Sequence, residues 1–222
     1  MIRLDHLTKV FTLRGRRKVV ADDICIDFPT GASIGLLGRN GAGKSTLMQM
    51  IGGNMDPTSG QILSTGTISY PVGFSGSFHG ELTGAQNTRF VARIYGIDTE
   101  SLVEFVEDFA ELGPHFQLPF RTYSSGMKSR LSFGVSMGIP FDTYLIDEVT
   151  SVGDAAFRAK SSAVFLERMS KSGALFVSHS PEVVKRLCDM GAVLENGKLT
   201  LYEDVNEAIA QHEENMKTKP PG

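Results

Sequence analysis

The sequence predicts an α/β fold, and three observations carry that expectation. Ser33-Ile34-Gly35-Leu36-Leu37 is a short apolar run that leads through a glycine-rich loop, Gly38-Arg39-Asn40-Gly41-Ala42-Gly43-Lys44-Ser45, into a helical stretch from Thr46 to Ile51. Two later apolar runs, Thr143 to Glu148 and Gly173 to His179, alternate with segments of helical period, as buried parallel strands do. The start of the chain behaves differently: residues 2–7 alternate polar with apolar, the pattern of a half-exposed strand.

Taken in order, residues 2–7 (Ile-Arg-Leu-Asp-His-Leu) read as a strand, and residues 9–13 as a second. Arg14-Gly15-Arg16-Arg17-Lys18 is a basic tip with Gly15 in the turn. Val19–Ala21 and Ile24–Phe28 return from it as an antiparallel hairpin. The tip is expected to be a solvated hairpin end, with docking or an anionic-lipid contact as the alternative. Pro29-Thr30-Gly31 turns into the buried strand. Gly52-Gly53 and Asp56–Gly60 break the chain after the first helix, and Gln61–Leu63 and Thr67–Tyr70 are two short strands.

From Leu82 the pattern is helical. Thr83 is an N-cap with Gln86 three residues on, a capping box, and Phe90, Val91, Ile94 and Tyr95 give an apolar face that Gly96 closes. Ser101 starts a second helix, ended by Gly113-Pro114. Its aromatics follow the helical period, which assigns them to core. A third helix opens at Tyr123-Ser124-Ser125-Gly126-Met127 and runs to about Met137. After the strand that ends at Asp147-Glu148 come a loop (Ser151–Asp154), a helix (Ala155–Met169), the strand ending near His179 and a helix (Pro181–Leu187). A hairpin turning at Glu195-Asn196-Gly197 and a last helix from Val205 to about Glu213 complete the chain.

Composition narrows the function classes. The chain has 222 residues, 41% hydrophobic and 21% charged, with net charge −3. That is enough apolar material for a core, and it carries no global basic character that would point to nucleic acid. Two distant cysteines, Cys25 and Cys188, have no metal-type spacing and fit a reduced protein. No stretch approaches the roughly 20 apolar residues that a membrane span needs, and the first residues lack a signal-peptide core.

The chemistry begins at Gly38–Ser45, a glycine, four free positions, then Gly-Lys-Ser: a phosphate-binding loop. Glycines at 38, 41 and 43 let the backbone take positive φ and turn its N–H groups onto an anion. Lys44 reaches the β/γ-phosphates, the Ser45 hydroxyl ligates Mg²⁺, and the helix from Thr46 points its positive end at the phosphates. Asn40 completes the candidate contacts in the loop. In an open α/β sheet, ligands sit beyond the carboxyl ends of strands. Asp147 is therefore expected to hold Mg²⁺ opposite Ser45, Glu148 to act as general base on the attacking water, and His179 to bond the γ-phosphate or that water. Phe11 could stack on a nucleotide base and could equally be a core aromatic. Ser124-Ser125-Gly126 is either ordinary helix capping or a second anion site.

The ordered set of these motifs resembles the ATP-binding-cassette (ABC) ATPases over essentially the whole chain. Gly38–Ser45 matches the family's Walker A motif and Tyr144–Glu148 its Walker B motif with the catalytic glutamate. Ser151–Asp154 sits where the D-loop does, which adds Asp154 to the nucleotide site. His179 sits at the switch histidine, Phe11 at the adenine-stacking aromatic, and Tyr123–Met127 at the signature motif, in a form departing from Leu-Ser-Gly-Gly-Gln. The resemblance implies a P-loop NTPase fold with a RecA-like core sheet, an N-terminal antiparallel β subdomain and an inserted α-helical subdomain. Their expected limits are 1–73 and 138–222 for the core and about 74–137 for the insertion. It implies ATP and Mg²⁺, and a head-to-tail dimer in which Ser124 and Gly126 of a second copy close each site. The stretch Tyr70–Ser77 lacks the Q-loop glutamine, and Gln86 is not an obvious replacement.

Pro71–His79, Leu82-Thr83-Gly84, the Tyr-Ser-Ser-Gly-Met signature and Asp147-Glu148-Val149 look like the ATPase subunits of bacterial capsular polysaccharide exporters of the KpsT type. O-antigen exporter ATPases often add a C-terminal carbohydrate-binding domain, for which 222 residues leave no room. The branch implies peripheral attachment at the cytoplasmic face of the inner membrane through a permease dimer, with periplasmic and outer-membrane export partners and no nucleic acid. The docking surface is expected on the helical subdomain, with Phe74 and Phe78 as apolar contacts. An O-antigen or teichoic-acid exporter ATPase, or a soluble ABC ATPase acting on nucleic acid, are the rival readings.

Overall fold

The computed structural model describes residues 1–13, 15–73, 76, 78–147, 155–178 and 180–217. Their contacts divide them into two compact units: described residues within Met1–Pro71, Phe141–Val149 and Lys171–Gly222 form one, and those within Val72–Pro140 and Thr150–Ser170 the other.

The first unit opens with β1 (Ile2–Leu13) and β2 (Arg16–Phe28), an antiparallel pair joined through Gly15, whose φ of 77° fits the expected turn. Each is one long strand where two short ones were expected. The interruption in the alternating pattern is a shift of register, not a break: His6 (φ 50°) and Asp23 (φ 53°) bulge opposite each other, and His6 Nδ1 and Asp23 Oδ1 lie 2.7 Å apart. β3 (Ser33–Leu37) follows, buried at every position. Next come α1 (Lys44–Ile51), β4 (Ser59–Ser64), which pairs with β1, and β5 (Ile68–Pro71).

The second unit contains α2 (Gly84–Tyr95), α3 (Thr99–Ala110) and α4 (Ser125–Gly138). The capping box of α2 forms as predicted: Gln86 N donates to Thr83 Oγ1 at 3.1 Å and Thr83 N to Gln86 Oε1 at 2.9 Å, and Gly96 closes the helix at φ 65°. α3 starts two residues earlier than expected, because Asp98 accepts the Ser101 N–H at 2.7 Å and so caps the helix. Its end comes before Gly113, at Glu111, which takes the left-handed conformation (φ 52°). The chain then passes through β6 (Thr143–Asp147) to α5 (Ala155–Met169). α5 belongs with the helices although it follows β6: Phe157 packs edge-on against Phe109 at 5.2 Å, and Arg168 Nε donates to Met137 O at 2.6 Å. Phe109 is the hub of this unit, stacked on Phe105 and Phe133 as well, and Gly134 lets α4 approach it: a Cβ there would lie 3.0 Å from its ring.

β7 (Gly173–Val177), α6 (Pro181–Leu187), β8 (Met190–Glu195), β9 (Lys198–Tyr202) and α7 (Val205–Lys217) complete the first unit. Asn196 (φ 49°) and Gly197 (φ 80°) make the two-residue turn between β8 and β9. The strands order as β5-β6-β7-β3-β8-β9, all parallel except β8 to β9. β3 is thus central. Ile34 and Leu36 face a core shared with Leu47 and Met48 of α1 and Leu4, Leu7 and Ile24 of the antiparallel sheet. Gly35 faces the other way, where a Cβ would overlap Val184 of α6.

Candidate functional site

The loop after β3 is shaped by its glycines. Gly38, Gly41 and Gly43 have φ of 154°, 77° and 111°. At Gly43 a Cβ would overlap the Val20 side chain of β2, and at Gly38 it would overlap the Leu194 carbonyl of β8. Positive φ and close approach together exclude larger residues here. Gly43 also caps α1 without a side-chain bond, so the first N–H groups of the helix remain available to an anion. Lys44 is buried, at 7% exposure, with its ammonium folded onto its own loop: Nζ donates to Gly38 O at 2.7 Å and Arg39 O at 3.2 Å. Ser45 and Asn40 are exposed and Thr46 is half-buried.

Asp147 ends β6. Its register partner is Val177 in β7, whose partner in β3 is Leu36, two residues before Gly38. The carboxylate therefore stands two strands from the loop, about 10 Å across the sheet at normal strand spacing, on the same carboxyl edge. Ser45 and Asp147 are hard oxygen donors, the set that Mg²⁺ prefers, and neither is buried. The residues present fit the ion. Glu148, Asp154 and His179 lie outside the described residues. So does Phe74, whereas Phe78 is buried and packs edge-on against Phe120 at 5.3 Å, which removes it as an exposed contact. Gln86 is held in the capping box that starts α2.

Phe11 is not a core residue. It is 39% exposed, with Lys9 Nζ 5.2 Å from its ring centre, and its cross-strand partner is Lys18. Lys18 is the residue that sequence reading missed. Instead of standing free at the hairpin tip, its Nζ donates to Gly41 O at 2.8 Å, within the phosphate loop. The signal was in the sequence: Lys18 and Val20 are two apart, on one face of a strand, and Gly41 and Gly43 are two apart in the loop that this face meets.

A second group lies behind the loop. Arg39 donates to Asn215 O in α7 at 2.8 Å. In α7, burial first and then the Lys44 charge push the His212 pKa down, with Glu195 and Glu213 opposing. His212 Nδ1 and Glu195 Oε2 are buried with no hydrogen-bond partner among the described residues. None of this was foreseen, because it depends on where α7 returns.

In the helical unit, Ser124 caps α4: its Oγ accepts the Met127 N–H at 3.2 Å. Tyr123 is a core residue whose hydroxyl donates to His115 O at 2.7 Å. Gly126 is exposed, and a Cβ there would meet nothing nearer than Ser124 Oγ at 4.0 Å.

The family model described as ABC transporter matches residues 21–151. The chain is 48% identical over 215 residues to the polysialic acid transport ATP-binding protein KpsT of Escherichia coli, covering 96% of each. It is 44% identical to the capsule polysaccharide export ATP-binding protein CtrD of Neisseria meningitidis, covering 94% of this chain and 96% of that one. Among solved structures, the ATP-binding cassette MJ0796, described as a dimer in a post-hydrolysis state bound to ADP and Pi, aligns with a TM-score of 0.73 at 18% identity, over 92% of this chain and 99% of that one.

Proposed function

Because the chain belongs to the ABC transporter family, we propose that it is the ATP-hydrolysing subunit of an exporter of lipid-linked capsular polysaccharide, working as a pair with a membrane permease dimer. The observation that carries the cargo is the identity of 44–48% along nearly the full length of KpsT and CtrD, whose names specify polysialic acid transport and capsule polysaccharide export. The observation that carries the chemistry is the loop, with three positive-φ glycines and a buried lysine at its end.

ATP lies with its phosphates over Gly38–Thr46 and its base toward Phe11. Lys44 turns its ammonium from the loop carbonyls to the β/γ-phosphates. Ser45 and Asp147 would hold Mg²⁺, which would supply charge neutralisation at the phosphoryl oxygens. Glu148, next after Asp147 in sequence, takes the proton of the attacking water, and His179 orients the γ-phosphate. Ser124 and Gly126 of a second copy close the site, with Asp154 at the junction. ATP closes this dimer and hydrolysis releases it.

No helix among the described residues is long and apolar enough to cross a membrane, so export requires the permease. The ATPase attaches at the cytoplasmic face of the inner membrane, and periplasmic and outer-membrane components continue the path.

Glu148→Gln tests the chemistry. It keeps ATP binding within a few-fold and lowers turnover by at least about a hundredfold, near 3 kcal/mol in the barrier. Near-normal turnover removes Glu148 as the base. Detergent copurification with an integral membrane partner tests transport, and recovery of nucleic acid alone would sink it.

A further inference from the structure

We propose that Lys18 is a second cation for the nucleotide's phosphate chain, acting from outside the loop while Lys44 acts from within it; this rests on the ATP-site reading above. β2 runs beside the loop with matched spacing. Val20 packs where a Gly43 side chain would be, and Lys18, two residues earlier on the same strand face, donates to Gly41 O at 2.8 Å. Phe11 lies directly across from Lys18 in the β1–β2 register. The ammonium therefore sits between the base platform and the glycine at the loop's exposed crest, where a bound polyphosphate must pass.

Energetics decide between a staple and a ligand. One hydrogen bond from a charged donor to a carbonyl gains only modestly over the bonds to water that it replaces. Fixing an exposed lysine costs a comparable amount in rotamer freedom. For Lys18, which is exposed, these nearly cancel. Its other two N–H donors find no partner among the described residues, and no carboxylate there lies within ion-pair distance of it. A phosphate oxygen supplies the charge-assisted bonds that make the placement favourable. Lys18 thus recognises the anionic chain of the nucleotide and not its base.

Calorimetric titration of ATP into wild type, Lys18→Met and Lys18→Arg at several salt concentrations tests this. Lys18→Met keeps the aliphatic stem. It is expected to bind ATP about tenfold more weakly and with a shallower salt dependence than wild type, and Lys18→Arg to recover most of the affinity. ATP binding by Lys18→Met within twofold of wild type would overturn the proposal. So would a weakened variant whose salt dependence is as steep as before, since that is the mark of a loop merely loosened. A wild-type chain that binds no ATP would instead remove the nucleotide reading, and the role of Lys18 with it.

Discussion

The loop at Gly38–Ser45 and the helix start at Ser124–Gly126 are both glycine-bearing turns into a helix, yet the glycines answer to different constraints. Gly43 is set by its own chain: φ of 111° and the Val20 side chain leave no space for a Cβ. Gly126 is helical and open, and among the described residues nothing lies near enough to require it. The hydroxyls differ too. Ser45 is exposed in the first turn of its helix, whereas Ser124 already caps its own. A glycine with no such contact among the described residues is compatible with the proposed contact from a second copy. The proposed site completed by a second copy rests on this open helix start.

Alanine at the two glycines separates these cases. Gly43→Ala carries the larger effect, because both the left-handed backbone and the overlap with Val20 oppose it. The cost is about 2–4 kcal/mol, a fall in Tm on the order of 10 °C for a chain of this size, with ATP binding lost alongside. Thermal melts that match wild type would show that the loop relaxes freely and would dissolve the comparison.

Gly126→Ala is expected to do the opposite. Its Tm stays within about 1–2 °C of wild type, since a surface change away from special features costs under about 0.5 kcal/mol. ATP binding by the monomer persists, but turnover falls at least about tenfold and the ATP-induced dimer is lost on size-exclusion chromatography. Full turnover in this variant would return Ser124–Gly126 to plain helix capping.

Local chemistry made much of this legible. The capping box at Thr83 and Gln86, the Asn196-Gly197 turn and the loop between β3 and α1 are each specified within a few residues, and each is found where the sequence puts it. What escaped depends on distant partners. Whether α5 joins the helices is decided by Phe157 meeting Phe109. Lys18 looks like any basic tip until the register sets it against Gly41. Phe78 reads as exposed in a Gly/Ser-rich stretch and is buried by Phe120, some forty positions away. Among the motif residues, Glu148, Asp154 and His179 lie outside the described residues, so their roles rest on the sequence pattern.

The pH dependence of stability gives the smallest and most local test, because it separates the two regions by titration. Burial and the neighbouring Lys44 and Arg39 charges hold the His212 pKa below its ordinary value, against Glu195 and Glu213. The unfolded chain takes up that proton near pH 6.5, the folded chain only at lower pH. Stability from neutral His212 is therefore fully present above about pH 6.5 and is lost as pH falls through the folded value. His6 has the opposite sign: its bond to Asp23 raises the pKa, so its contribution is present below pH 6.5 and fades as pH rises. Comparing His212→Gln with wild type leaves His6 constant. The variant should lose less Tm between pH 7.5 and 5.5 than wild type does, with no change of that kind from Gly126→Ala. Equal losses in His212→Gln and wild type would mean that the buried side behind the phosphate loop is as open to protons as the signature helix.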